Sequence, residues 1–490
     1  MARNTIWNVV GQVSPLLIAA FAIPLLIKRL GVDRFGVLTL AWALVGYFSL
    51  FDLGLGRALT KVVSDRLAAG KERQVAAAIW TATIMMFAVG AVFAIAICLA
   101  RQWMTNSLLK VPASLHRETY AALLPLGLSI PIITITTGLR GVLEAQHRFA
   151  MVNSVRVVMG AFSFLGPLAA SFVSPSLYGV ITVLILGRVV SCVIYLMMCL
   201  RTTHGLGKKF IWDHETLPEL LSTGGWITVS NLVSPLMAYS DRFLITYFLS
   251  VSVVAYYTTP FEMVTKLWLV PTSIAGVLFP AFAALAVIDR QRLTRTYERG
   301  VRSCFVVLYP VVFLIIMFAP EVLQVWLGST FMRQSTIVLR WLAAGVLLNS
   351  IANMPYALLQ AVNRPDLPGK VHLIEVPLYL ASAVWAITHY GLPGAAAVWA
   401  IRLSLEAVVL FVLAQRTLVP GALGPRLVAF LALGVAVLAA ITLEHGLWTK
   451  VLTTALVLTG YWMIAWRLGL DEPERQQLRS WLNSLIPARQ

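Results

Sequence analysis

Long apolar runs separated by short, mostly basic connections set the pattern of this chain. A helix that crosses a bilayer needs about 20 predominantly apolar residues. Fourteen runs meet that length. In the first half they predict spans over Ile6–Ile27, Phe35–Gly56, Val75–Ala100, Tyr120–Leu139, Met151–Val173 and Tyr178–Leu200. The second half predicts Leu220–Phe248, Val253–Ala284, Ser303–Val325, Leu339–Ala361, Val371–Tyr390 and Ala395–Arg416, followed by Leu427–Leu443 and Trp448–Trp466. Spans 7 and 8 are long enough to tilt or bend. The run from Ile6 is too long for a signal peptide and has no cleavage pattern, so it reads as span 1.

Two stretches about 220 residues apart repeat one another. Val13-Ser14-Pro15-Leu16-Leu17 returns as Val233-Ser234-Pro235-Leu236-Met237, and Leu30-Gly31-Val32 as Leu249-Ser250-Val251. The match falls on the first span of each six, which reads as a duplication. An even number of spans per half keeps both halves in one orientation, as parallel repeats are. The expected architecture is all-α, with one six-helix lobe over 1–205 and a second over 206–418. Two added helices follow over 419–469. The tail 470–490 carries Leu478, Trp481, Leu482 and Leu485 on one helical face, which suits an amphipathic cytoplasmic helix at the membrane surface.

Composition agrees: 59% of residues are hydrophobic and 12% charged, against about 25% charged in soluble domains. The net charge of +17 does not indicate nucleic acid, because the basic residues sit between the spans. One set of connections, with both termini, carries about 24 Lys and Arg and the other about 8, which places the termini in the cytoplasm. The cysteines Cys98, Cys192, Cys199 and Cys304 lie in or beside apolar runs with no metal or disulfide spacing. The histidines His116, His147, His204 and His214 are scattered without ligand spacing. No phosphate loop is present to hydrolyse ATP, and no catalytic constellation, cofactor or metal site is expected.

Charge inside the spans carries the functional expectation, since an ionised side chain at a helix centre costs about 2.5–3.5 kcal/mol on insertion scales. Glu262 and Lys266, and Arg402 and Glu406, are spaced i, i+4 and can either neutralise one another or face a cavity. Arg188 lies mid-span with no acid nearby in sequence and suits an anionic substrate. Asp241 and Arg242 are neighbours about 100° apart on a helix, so they serve different faces. Asp52, Arg57 and Glu375 lie near the inner ends of their spans. Pro15, Pro24, Pro235 and Pro271 are candidate hinges, each removing a helical hydrogen bond, as does Pro280.

Phe35-Gly36-Val37-Leu38 with Phe51-Asp52-Leu53-Gly54-Leu55-Gly56-Arg57 resembles the second helix of bacterial polysaccharide transporters. Gly138-Leu139-Arg140-Gly141 through Phe149 resembles their helix 4–5 connection. Gly225-Trp226-Ile227, Ser240-Asp241-Arg242-Phe243, Ala255-Tyr256-Tyr257-Thr258 and Leu278-Phe279-Pro280-Ala281-Phe282 extend the likeness. The chain thus resembles the O-antigen (Wzx-type) flippases of the multidrug/oligosaccharidyl-lipid/polysaccharide exporter superfamily. That resemblance implies alternating access in the bacterial inner membrane, carrying undecaprenyl-pyrophosphate-linked oligosaccharide between leaflets. It implies a cationic cavity with matching positions at Asp52, Asp241, Arg242 and Lys266, to which Arg188 and Arg57 are added here; Asp52, Asp241 and Glu262 are candidates for proton or sodium coupling. Membrane lipids, a polymerase and a chain-length regulator are the expected partners. A drug/cation antiporter of the same superfamily and a lipid II flippase are the alternatives. A membrane glycosyltransferase or polymerase would need a longer external loop.

Overall fold

The computed structural model describes residues 2–50, 55–203, 205–207, 212–214, 216–218, 220, 237, 239–362, 364–421, 424–440 and 446–465. Among these the fold is all-helical, with no strand. Among the described residues nine helices are long and apolar enough to cross a membrane, with a shorter apolar helix besides, so the chain is a multi-pass membrane protein. Asp52, Pro235, most of span 7 and the amphipathic tail lie outside the described residues.

The chain divides into two compact units, Met1–Thr258 and Thr259–Gln490. The first contains α1 (Ala2–Leu50), α2 (Leu55–Ala68), α3 (Glu72–Trp103), α4 (His116–Leu128), α5 (Ile130–Ala145), α6 (Phe149–Val173) and α7 (Leu177–Thr202). It also takes the helical residues 239–248 and the start of α8 (Val251–Thr265). This division falls later than the repeat boundary expected at 205.

α1 joins the first two predicted spans without a loop. Its dihedrals leave the helical region only at Gly31 (φ 78°, ψ 164°), and they remain helical through Pro15 and Pro24. A positive φ costs glycine little and any other residue far more. Span 4 is split at Ser129 into α4 and α5, where Pro131 cannot donate to the carbonyl four residues back. A buried cluster including Val62, Ala78, Val142, Leu143 and Cys199 joins α2, α3, α5 and α7. α5 comes so close to α2 that a Cβ on Gly141 would lie 2.4 Å from Thr60 Oγ1.

The second unit holds the rest of α8, then α9 (Leu269–Ile288), α10 (Arg290–Met317), α11 (Ala319–Leu327) and α12 (Ser329–Ala361). It ends with α13 (Asp366–Thr417), α14 (Pro425–Ala440) and α15 (Leu447–Ile464). A 3-10 turn over Lys266–Trp268 separates α8 from α9. Pro271 explains it, since its ring displaces the carbonyl of Leu267, four residues back. α13 carries predicted spans 11 and 12 in one helix bent at Gly391 (φ 64°, ψ −140°). Gly328 (φ 89°) is likewise the single residue between α11 and α12.

Several helices outrun their apolar cores. α10 starts thirteen residues before the predicted span, α12 ten before, and α2 is a helix where a connection was expected. Each extension is amphipathic. α2 buries Leu55, Leu59, Val62 and Val63, and α10 buries Leu293, Tyr297 and Val301. Asp289 caps α10, its side chain accepting the Arg292 N–H at 2.9 Å.

The added helices α14 and α15 lean on α10. Tyr461 stacks on Tyr309 (centroids 4.6 Å apart, planes at 18°) and donates its hydroxyl to the Val306 carbonyl at 3.2 Å. Phe430 lies 5.3 Å from Phe305. Lys450, only 3% exposed, reaches Glu321 at 2.6 Å, and so ties α15 to α11.

Candidate functional site

In the first unit Arg188 occupies the middle of α7, half-buried, and its Nη2 donates to Ser163 Oγ of α6 at 3.3 Å. Among the described residues no carboxylate pairs with it. A guanidinium held by a neutral hydroxyl keeps its full charge available to an anion.

Asp241 and Arg242 are 1% and 2% exposed. The Asp241 carboxylate accepts the Tyr257 hydroxyl at 2.5 Å and the Arg242 backbone N–H at 2.8 Å. Arg242 instead lays its guanidinium 4.9 Å from the centroid of the Tyr239 ring. The two neighbours therefore serve different faces, as the 100° step requires. Arg57 is exposed in the first turn of α2.

The turns after predicted spans 1 and 7, matched by the internal repeat, meet within this unit. Ser252 donates its hydroxyl to Asp33 Oδ1, and Gly36 approaches the Val251 carbonyl so closely that a Cβ would lie 2.1 Å away. Lys110 donates to the Phe248 carbonyl at 3.3 Å. Beside them Arg34 grips Glu118 through two bonds, Nε to Oε2 at 2.9 Å and Nη2 to Oε1 at 2.7 Å. Glu118 Oε2 also accepts the Leu177 N–H at 3.2 Å. α1, α4 and α7 are thus pinned together where α8 meets α1.

In the second unit Glu262 and Lys266 form an ion pair at 3.0 Å across the last turn of α8 and the 3-10 break. Both side chains are more than a third exposed. Phe261 and Trp268 flank them, packing on Trp399 with centroids 5.2 and 6.3 Å away.

The charges of α13 connect across its two arms. Glu406 Oε1 meets His372 Nε2 at 3.0 Å, and Arg402 Nε lies 4.0 Å from Glu375 Oε1. The i, i+4 spacing of Arg402 and Glu406 gave no hint of these partners, because the bend at Gly391 brings the arms side by side. His372 escaped the sequence reading altogether. Its signal was the i, i+3 spacing to Glu375, which puts both on one face. Tyr257 and Ser163 were missed because uncharged partners leave no mark in a hydropathy pattern.

Two solved structures share this fold. The lipid II flippase MurJ in an inward closed conformation aligns with TM-score 0.70 at 12% identity, over 95% of this chain and 99% of that one. An inward-facing MATE transporter of the MOP superfamily aligns with TM-score 0.69 at 15% identity, over 84% and 98%. A putative O-antigen transporter of Shigella flexneri is 29% identical over 408 residues, 83% of this chain and 96% of that protein. EpsK, an uncharacterized membrane protein of Bacillus subtilis, is 23% identical over 494 residues, 96% of this chain and 95% of that one. Residues 26–336, well over half the chain, match one family as a continuous block, and the chain belongs to that family, the polysaccharide biosynthesis proteins.

Proposed function

We propose that this protein flips undecaprenyl-pyrophosphate-linked oligosaccharide across the bacterial inner membrane, with both termini in the cytoplasm, by alternating access. The observation that carries this reading is Arg188, a mid-span cation whose bonded partner among the described residues is a neutral serine. A pyrophosphate is the kind of ligand such a group retains, through paired N–H···O bonds. The oligosaccharide needs a polar path, while the prenyl tail can stay in lipid. The name of the Shigella relative and the membership of the polysaccharide family support the same substrate class.

The four cations expected to hold substrate differ in readiness. Arg188 stands ready, and Arg57 is exposed at the start of α2. Lys266 is neutralised by Glu262, and Arg242 is sealed against Tyr239. In the coupling set, Glu262 is held by Lys266 and Asp241 by Tyr257. The pathway's polymerase and chain-length regulator would receive the product outside, and the protein itself transports without catalysing a reaction.

The test is accumulation of lipid-linked repeat units on each membrane face after deletion of this protein. Build-up on the cytoplasmic leaflet with loss of surface polysaccharide is the expected result. Normal surface polysaccharide with new drug sensitivity would favour the antiporter. Accumulation of peptidoglycan precursor would favour a lipid II flippase, a reading that the MurJ-like fold keeps in view.

A further inference from the structure

One charged cluster in the second unit has no part in the substrate path proposed above. It lies between the two arms of α13, against α12. His372 and Glu375 come from the first arm, Arg402 and Glu406 from the second. Glu406 is 8% exposed, and the side chains of Glu375 and Arg402 are 13% and 11% exposed. Arg402 lies over the ring of Tyr379, 5.0 Å from its centroid. From α12, Tyr356 stacks on His372 with centroids 6.5 Å apart. Beside Tyr356, a buried apolar cluster of Ala352, Leu359, Ala407 and Leu410 closes the packing between the helices. His372, at 19% side-chain exposure, is the most open of the four.

Two features mark this group as more than a structural ion network. Glu375 Oε2 is buried and accepts no hydrogen bond among the described residues. The charges also fail to balance. Two carboxylates face a single guanidinium, so the set without an added proton carries a net charge of −1 in a largely buried place. One bound proton brings the set to zero, and uncompensated buried charge is costly. His372, Glu375 and Glu406 are close enough to share that proton, so it belongs to the cluster rather than to one residue. The guanidinium of Arg402 inside the set opposes a metal cation as occupant.

We propose that His372, Glu375, Arg402 and Glu406 form a one-proton site whose loading and release drives the transport cycle. The proposal rests on the flippase reading for its work and on the cluster's geometry for its place. A proton from water enters at His372 and settles among His372, Glu375 and Glu406, which leaves the set neutral. Its return to water restores the net negative charge. The arms of α13 are then drawn differently onto Arg402. Because α13 carries both arms in one helix, a change there moves two spans together.

The experiment has two arms. Infrared difference spectra of the intact protein in nanodiscs, cycled between acidic and alkaline buffer, read the carbonyl band of a protonated carboxyl directly. We expect a band that the E375Q/E406Q double variant loses and that H372Q shifts. Thermal unfolding and gel-filtration profiles show that the variants fold. An unchanged band in the double variant would overturn the site. The second arm follows a fluorescent undecaprenyl-pyrophosphate disaccharide in proteoliposomes under an imposed pH gradient. One proton per cycle biases the probe distribution about tenfold per pH unit, and E406Q should abolish that bias. A gradient response in folded E406Q equal to that of the unsubstituted protein would overturn the coupling and leave the flippase reading intact. A proton band without probe movement in the unsubstituted protein would instead remove the flippase reading and uphold the proton site.

Discussion

Arg188 and Lys266 were expected to do the same work, and their surroundings separate them. Arg188 donates to a hydroxyl and has no carboxylate beside it among the described residues, while Lys266 sits 3.0 Å from Glu262. A hydrogen bond to a charged group contributes about 1.5–3 kcal/mol. Arg188→Ala should therefore weaken binding of undecaprenyl pyrophosphate to the purified protein about tenfold to a hundredfold. Arg188→Lys should fall between, because it keeps the charge and loses the fork of donors. The double change Glu262→Gln with Lys266→Gln removes an exposed pair together and should alter binding less than about threefold. Equal losses at both places would refute the distinction. The charges themselves were legible in the sequence, because an ionised residue stands out in an apolar run. Their partners were not. Ser163, Tyr257 and His372 look ordinary in such a run, and bends rather than spacing bring them into reach.

At the scale of elements, the sequence disclosed where helices cross lipid and concealed where they continue in water. Hydropathy sees the apolar stretch of α10 from Ser303. The preceding turns bury Leu293, Tyr297 and Val301 on one face only, so their average is polar. The break at Lys266–Trp268 followed from Pro271, whereas Pro15 and Pro24 leave α1 helical and Gly31 makes its bend. The meeting of α1 with α8, through Asp33, Gly36, Val251 and Ser252, reads as a clasp that must open during alternating access. Cysteines replacing Asp33 and Ser252 should therefore cross-link on oxidation, stop transport, and restore it on reduction. Undiminished transport by the cross-linked protein would mean that the clasp stays shut throughout the cycle. Gly36→Leu should force the two elements apart, seen as faster labelling of a cysteine at position 252.

At the scale of the whole molecule, an all-helical multi-pass transporter was legible from the lengths of the apolar runs. The attachment of the last two helices was not, because it depends on one buried pair and an aromatic stack. Lys450 is 3% exposed, while Glu321 is about a third exposed and lies near Arg340. Glu321→Ala strands the buried ammonium and should cost about 3–5 kcal/mol. Lys450→Ala leaves a carboxylate that water and Arg340 can satisfy, and should cost about 1–2 kcal/mol. Unfolding midpoints in detergent decide the order, and a larger loss in Lys450→Ala would reverse the assignment of which group is trapped.

The turns at Gly31, Gly328 and Gly391 leave one more consequence. Each joins two helices through a single residue, and in the proposed orientation all three face the outside of the cell. A protease must draw a length of unwound chain into its cleft, and these corners offer none. Intact cells treated with a broad-specificity protease should show no cuts at these three corners. Inverted vesicles should be cut near residues 418–421, where turns follow α13. Digestion mapping would then report silence at three corners that lie on the outer face. An epitope tag inserted at any of these corners would break two helices rather than lengthen a loop.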